Sequence, residues 1–197
     1  MSLGYSRLMM HAAMIPASML EERRRLGHDR FDEVWEGVLH MVPQPTMVHK
    51  LVENSLMEAL KRIVSRRGLE VFHDPGLYDP EVPGQDSFRV PDLAVVERSH
   101  FAMRGIEGVA ELVVEIISPN DESRDKLPFY ARVGVREVWL LDPAKKSIEV
   151  FAGMTAVLPV KGRIHAPSLG LVLHIEGLKL LIKDRSDTYE VDIRDTL

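Results

Sequence analysis

The sequence predicts an α/β fold of the α+β kind, a central mixed β-sheet flanked by helices with additional β-strands at the C-terminal end. Three observations predict it. Residues 46–67 carry apolar side chains at helical spacing over a long stretch. After Gly68 the pattern changes, and the runs LEVFHD, FRVPDLAVV and AELVVEIIS read as three strands. The last run, ELVVEIIS, is apolar at nearly every position, which suits a strand covered on both faces. A helix on each side of such a sheet would bury both faces of its middle strands.

The 197 residues suffice for one domain with a real core, expected over 17–197, with 1–16 as a flexible N-terminal arm. There is no cysteine, so disulfides and thiolate metal sites are excluded and a reducing cytoplasm is the expected home. No apolar run approaches the roughly 18–20 residues that span a bilayer. The formal net charge of -5 argues against broad, charge-driven coating of nucleic acid.

Taken in order, SMLEERRRLG at 18–27 reads as a short helix, with Ser18 as N-cap, Glu21 three places on and Gly27 as the stop. FDEVWEGVLHMVP has strand character broken at Gly37, as in a hairpin. The long helix follows, with Met47, Val48, Leu51, Val52, Leu56, Ala59, Leu60, Ile63 and Val64 on one stripe. Residues 79–87 and 97–109 read as loops. A short helix is expected near 125–133, capped by Asp125, with Pro128 in its first turn and Gly134 ending it. REVWLLD and SIEVFAG form a hairpin across Pro-Ala-Lys-Lys, and the tail from 157 adds about three short strands.

Glu115 is the informative residue. It interrupts an apolar strand, where an ionised carboxylate needs a cation or hydrogen-bond donors. Asp92 opens the candidate strand PDLAVV. If the two strands pair, both carboxylates converge at one sheet edge, and two hard oxygen ligands with water describe a magnesium site. Bland readings stand beside this one. Asp92 after Pro91 is a turn residue or cap, and Glu115 pairs with an arginine or faces an open edge. Lys126, at the start of the short helix, is placed to orient a water or to stabilise a phosphorane-like transition state; otherwise it is a solvated helix-end lysine. Lys61, Arg62, Arg66 and Arg67, and Arg23 to Arg25, form basic runs that either touch phosphates or remain solvated faces. No nucleic-acid-binding residue or target sequence can be assigned from them.

The run VPDLAVV followed by ELVVEIISPNDESRDKLPFYARVGVREVWLLDP resembles the Uma-type restriction endonuclease family of the PD-(D/E)XK nuclease superfamily. The shared features stand in order: Pro-Asp leading a strand, a Glu followed by Ser-Pro, a Lys four residues before a Tyr, then Gly-Val, Glu-Val-Trp and Asp-Pro. FDEVWEGVLHMVPQPTMVH matches the entry segment, so the resemblance spans roughly 30–155. It implies a restriction-endonuclease-like fold and a metal-dependent endonuclease cutting DNA, with Mg2+ or Mn2+ held by Asp92 and Glu115 and Lys126 as the catalytic lysine. It also implies a homodimer. Glu36 and His49 match weaker family positions, Glu36 to assist the metal and His49 to contact phosphate or water. Ile117 stands where the superfamily usually has its strand lysine, and Glu122 where an aspartate often precedes Lys126. The alternative is a nuclease-fold protein for dimerisation or nucleic-acid binding, or a hydrolase of smaller phosphoesters. Tyr130 and Trp139 are read as packing residues, and Asp142 as shaping the hairpin turn.

Overall fold

The computed structural model describes residues 16–82, 87–118 and 122–195. The expected N-terminal arm therefore lies, up to residue 15, outside the described residues, as do 83–86 of the loop at 79–87. Helix α1 spans Ala17–Leu26 and ends at Gly27 in the left-handed region. Ser18 does not cap it. The carbonyl of Pro16 accepts from the N–H groups of Met19 and Leu20, which puts Ser18 inside the first turn.

Strands β1 (Glu33–Trp35) and β2 (Val38–His40) form the expected hairpin. Its turn residues Glu36 and Gly37 both have positive φ, the backbone that a tight two-residue turn requires. Helix α2 (Met47–Val64) starts where the Thr46 side chain accepts from the His49 N–H. It gives way to a 3-10 turn at Ser65–Arg67 before Gly68 ends the run. Strands β3 (Leu69–His73) and β4 (Leu77–Tyr78) follow.

FRVPDLAVV is two strands rather than one. Phe88–Arg89 is β5 and pairs with β1 and β4, whereas Leu93–Glu97 is β6 and pairs with β3. Pro91 has no N–H for a ladder, so the chain changes sheets across Val90–Asp92. The stretch 97–109, read as a loop, contains the small hairpin β7 (Phe101–Ala102) and β8 (Gly105–Glu107). The Gly105 backbone lies so close to the Gly76 carbonyl that a side chain would clash there.

Strand β9 (Leu112–Ile116) is buried throughout. A 3-10 turn, Ser123–Lys126, then leads into α3 (Leu127–Arg132). Asp125 does not cap this helix, because the turn has already begun and the Asp125 N–H donates to the Glu122 carbonyl. Pro128 falls in the first turn of α3. Strands β10 (Glu137–Asp142) and β11 (Ser147–Ala152) form the expected hairpin, and Asp142 accepts from the Lys145 N–H at 2.9 Å in its turn. The tail is richer than expected: after β12 (Thr155–Ala156) it forms β13 (Arg163–Ala166), β14 (Leu171–Glu176), β15 (Lys179–Asp184) and β16 (Asp187–Asp192).

The central sheet is mixed, in the order β12-β11-β10-β9-β6-β3, with β9 and β10 parallel across the α3 crossover. A second sheet runs β2-β1-β5-β4-β8-β7, and the last four strands form an antiparallel sheet. Helix α2 covers one face of the central sheet, packing Leu56, Leu60 and Ile63 against Leu93, Leu112, Val114 and Trp139, with the last sheet joining the same core. Burying each such side chain is worth about 1.5–3 kcal/mol. On the opposite face Phe129 and Tyr130 of α3 pack against Ala94, Val113 and Leu140. Among the described residues no helix is long and apolar enough to cross a membrane.

Candidate metal and lysine site at the ends of β6 and β9

Antiparallel pairing of β6 and β9 places Leu93 opposite Val114. One step further along this register Asp92 lies level with Glu115. Within β9, Leu112, Val114 and Ile116 face α2 and Val113 faces α3. Strand alternation therefore turns Glu115 toward α3, where Lys126 and Tyr130 stand. The two acids are also tied through the backbone: Asp92 Oδ2 accepts from the Ile116 N–H at 2.6 Å.

Glu115 is 3% exposed. Its Oε1 accepts a short hydrogen bond from the Tyr130 hydroxyl. Lys126 Nζ lies 3.1 Å from Oε1 and 3.3 Å from Oε2, with Ser123 Oγ 3.5 Å from Oε2. Lys126 and Tyr130 are four residues apart at the start of α3, so one helical face clasps the carboxylate. Lys126 makes its shortest contact elsewhere, 2.8 Å to Glu33 Oε1.

Asp92 Oδ1 meets His49 Nε2 at 2.8 Å, and His49 Nδ1 meets Ser118 Oγ at 3.1 Å. The imidazole is thus fixed at both nitrogens at the start of α2. Glu53, one turn further along α2, approaches the same place, and one ligand atom each from His49, Glu53 and Asp92 lie within 4.8 Å of one another. Glu53 is already committed, however. Oε1 is bonded to His73, and the Lys50 ammonium sits 2.6 Å from Oε2 as an ion pair, with no aligned donor on that oxygen. Both this trio and the pair of Asp92 and Glu115 thus carry an ammonium, Lys50 on Glu53 and Lys126 on Glu115, and Asp92 is the acid that the two candidate cation sites share.

Electrostatics follow from burial. Removal from water, with the Asp92 and Glu33 charges adding to it, pushes Glu115 up to about 8 in the metal-free protein; Lys126 and the Tyr130 hydroxyl pull the other way. For Lys126, burial disfavours the ammonium, but the Glu115 and Glu33 carboxylates outweigh it and raise its pKa. The cluster's exchangeable proton therefore resides on Glu115, and Lys126 keeps its charge. His49 is likewise desolvated, yet its bond to Asp92 raises it above the usual imidazole value. Two buried carboxylates, Glu33 and Glu115, contact one ammonium, and the Asp92 charge acts on it from nearby. Asp92 and Glu115 would supply the hard oxygen ligands for a divalent cation, which would displace the proton that Glu115 carries in the metal-free protein.

Asp92, Glu115, Lys126 and His49 are thus brought together. Glu36 is not among them. It stands at the hairpin turn, largely exposed, paired with Arg132 at 2.6 Å and Arg89 at 3.4 Å. Glu33, three residues earlier, enters the cluster instead. Sequence reasoning passed it over, although an acid in a strand, two residues from an indole on the same face, was the available signal. Tyr130 packs as expected, and its hydroxyl also serves Glu115. Of the basic runs, Arg62 pairs with Glu58, Arg66 with Asp187 and Arg67 with Asp184, while Arg23 pairs with Asp32 and Arg25 with Glu22.

Comparison with known proteins bears on the family and the fold. Residues 20–166 match the family model described as Uma2, putative restriction endonuclease. The fold resembles the crystal structure of a putative nuclease from Anabaena variabilis, with a TM-score of 0.57 and 18% identity over 71% of this chain and 83% of that one. No curated protein matches the sequence significantly. With the family match covering well over half of its length, the chain belongs to the Uma2 family of restriction-endonuclease-like proteins.

Proposed function

We propose that this chain is a divalent-metal-dependent endonuclease hydrolysing DNA phosphodiester bonds, with Mg2+ or Mn2+ held by Asp92 and Glu115. The observation that carries the reading is the meeting of these two acids at one level of adjacent strands, with Lys126 already on Glu115. When bound, the metal supplies a Lewis acid that polarises a phosphoryl oxygen and acidifies a coordinated water. The chain's own residues do the rest. Asp92, fixed by the Ile116 N–H and by His49, presents a preoriented oxygen. Lys126 offers N–H donors and positive charge to the phosphorane-like transition state, standing in for the strand lysine replaced by Ile117. Tyr130 holds Glu115 in one rotamer.

The same reading extends to a homodimer that places two such sites on two strands, in a cytoplasmic protein. The test is plasmid cleavage with Mg2+ or Mn2+ by wild type, Asp92→Ala and Glu115→Ala. Cutting by wild type and neither variant is expected; cutting by both variants overturns the assignment. Binding of metal without cleavage of any nucleic acid favours a nuclease fold kept for dimerisation or nucleic-acid binding, or action on smaller phosphoesters.

A further inference from the structure

The lysine of this site stands on a helix and not on the strand of its glutamate, so its four-carbon stem needs a holder. We propose that Glu33 is the positioning residue for Lys126; the claim that this lysine serves catalysis rests on the nuclease reading above. Glu33 is buried, and its Oε1 lies 2.8 Å from the ammonium, nearer than Glu115. The carboxylate is itself fixed. Oε1 accepts from the Val90 N–H at 2.8 Å and Oε2 from the Trp35 indole N–H at 2.6 Å. Val90 lies two residues before Asp92, so Glu33 joins the first hairpin to the segment that delivers the metal-binding acid. A second lock stands behind it. The Arg89 guanidinium lies between the rings of Trp35 and Phe129, 4.3 Å from each, and its Nη1 donates to the Val34 carbonyl at 3.0 Å. Strand β1, β5 and helix α3 are thereby clamped around the Glu33–Lys126 pair.

Glu115 alone cannot hold the lysine. Its charge is the one a divalent cation would claim, and a cation there would repel the ammonium. A second carboxylate, turned to the lysine from another sheet, keeps Lys126 in place whether or not Glu115 is engaged. Glu33 thus takes over what a position on the same strand provides when the lysine lies two residues after the acid.

The test uses the full chain with 15N-labelled lysine and no metal. A buried, ion-paired ammonium exchanges slowly enough to give a side-chain NMR signal, assigned by its loss in Lys126→Met. Glu33→Gln should abolish or strongly broaden that signal, Glu33→Asp should restore part of it, and Trp35→Phe should weaken it while keeping the ring against Arg89. Mn2+ affinity of Glu33→Gln should stay within about threefold of wild type while single-turnover cleavage falls by about tenfold or more. A signal that persists in Glu33→Gln overturns the proposal. A loss of Mn2+ affinity as large as in Asp92→Ala overturns it too, because Glu33 would then be a ligand. If Glu33→Gln fails to fold, an unchanged signal in Trp35→Phe overturns it. A wild type that cuts no nucleic acid defeats the nuclease reading instead, and the ammonium signal still decides the role of Glu33.

Discussion

Two Lys–Glu pairs show how strongly place determines what a charge does. Lys179 and Glu190 lie across neighbouring strands of the last sheet, each more than half exposed. Lys126 and Glu33 join two different sheets' worth of structure, at 12% and 2% exposure. Water screens the first pair, and such surface bridges contribute little to stability. The second pair is held in a dry space with two further carboxylates, where an uncompensated charge is costly and a cation or an anionic transition state is strongly felt. The end of the central sheet that carries Asp92 and Glu115 is therefore where chemistry is expected, and the C-terminal sheet is where packing is expected.

This contrast can be broken at several points. The largest effect should come from Asp92→Ala or Glu115→Ala, each lowering metal-dependent cleavage by at least about a hundredfold in a plasmid assay. Next is Trp139→Ala in the core of the central sheet. Trp139 is fully buried and its indole donates to Glu137 at 2.7 Å, so truncation should cost about 3–5 kcal/mol by chemical denaturation. Lys126→Met should slow single-turnover cleavage by about 10²-fold and, by leaving the buried Glu33 carboxylate without its cation, should also lower Tm.

The pH dependence of stability sharpens the comparison further. Folding raises Glu115 from 4.5 to about 8, so the fold binds that proton more tightly than the unfolded chain does. Its contribution is fully present below 4.5 and is lost as pH rises through about 8. Metal-free wild type should therefore lose Tm over that window, Glu115→Gln should flatten the profile, and Mg2+ should restore Tm at its upper end. At the other extreme, Lys179→Ala should leave the chemical-denaturation midpoint essentially unchanged, the ordinary outcome for an exposed pair.

Much of the fold was legible because its signals are local. The stripe of α2, the apolar run of β9 and the hairpin across Pro143 each follow from spacing and turn chemistry within a few residues. Where long-range pairing decides, the sequence was silent. In FRVPDLAVV, Pro91 marks a break, but nothing local says which sheet Phe88–Arg89 joins and which Leu93–Glu97 joins. Nor do the short strands of 101–107 have enough residues to show a period. The site divides in the same way. Asp92 and Glu115 stood out as charges in apolar or strand-opening positions. Glu33 did not, because its neighbours Asp32 and Glu36 are acidic as well, and only tertiary contact tells which of the three turns toward Lys126. The pairing of His49 with Ser118 and Asp92 spans three separate segments and has no signature in any of them.

The central claim is that Asp92 and Glu115 share one divalent ion, and calorimetric titration of the metal-free protein with Mn2+ tests it most directly. The account predicts one site per chain in wild type, with binding lost or weakened by at least about tenfold in both Asp92→Asn and Glu115→Gln while each variant remains folded. Wild-type stoichiometry and affinity retained in both folded variants would contradict it.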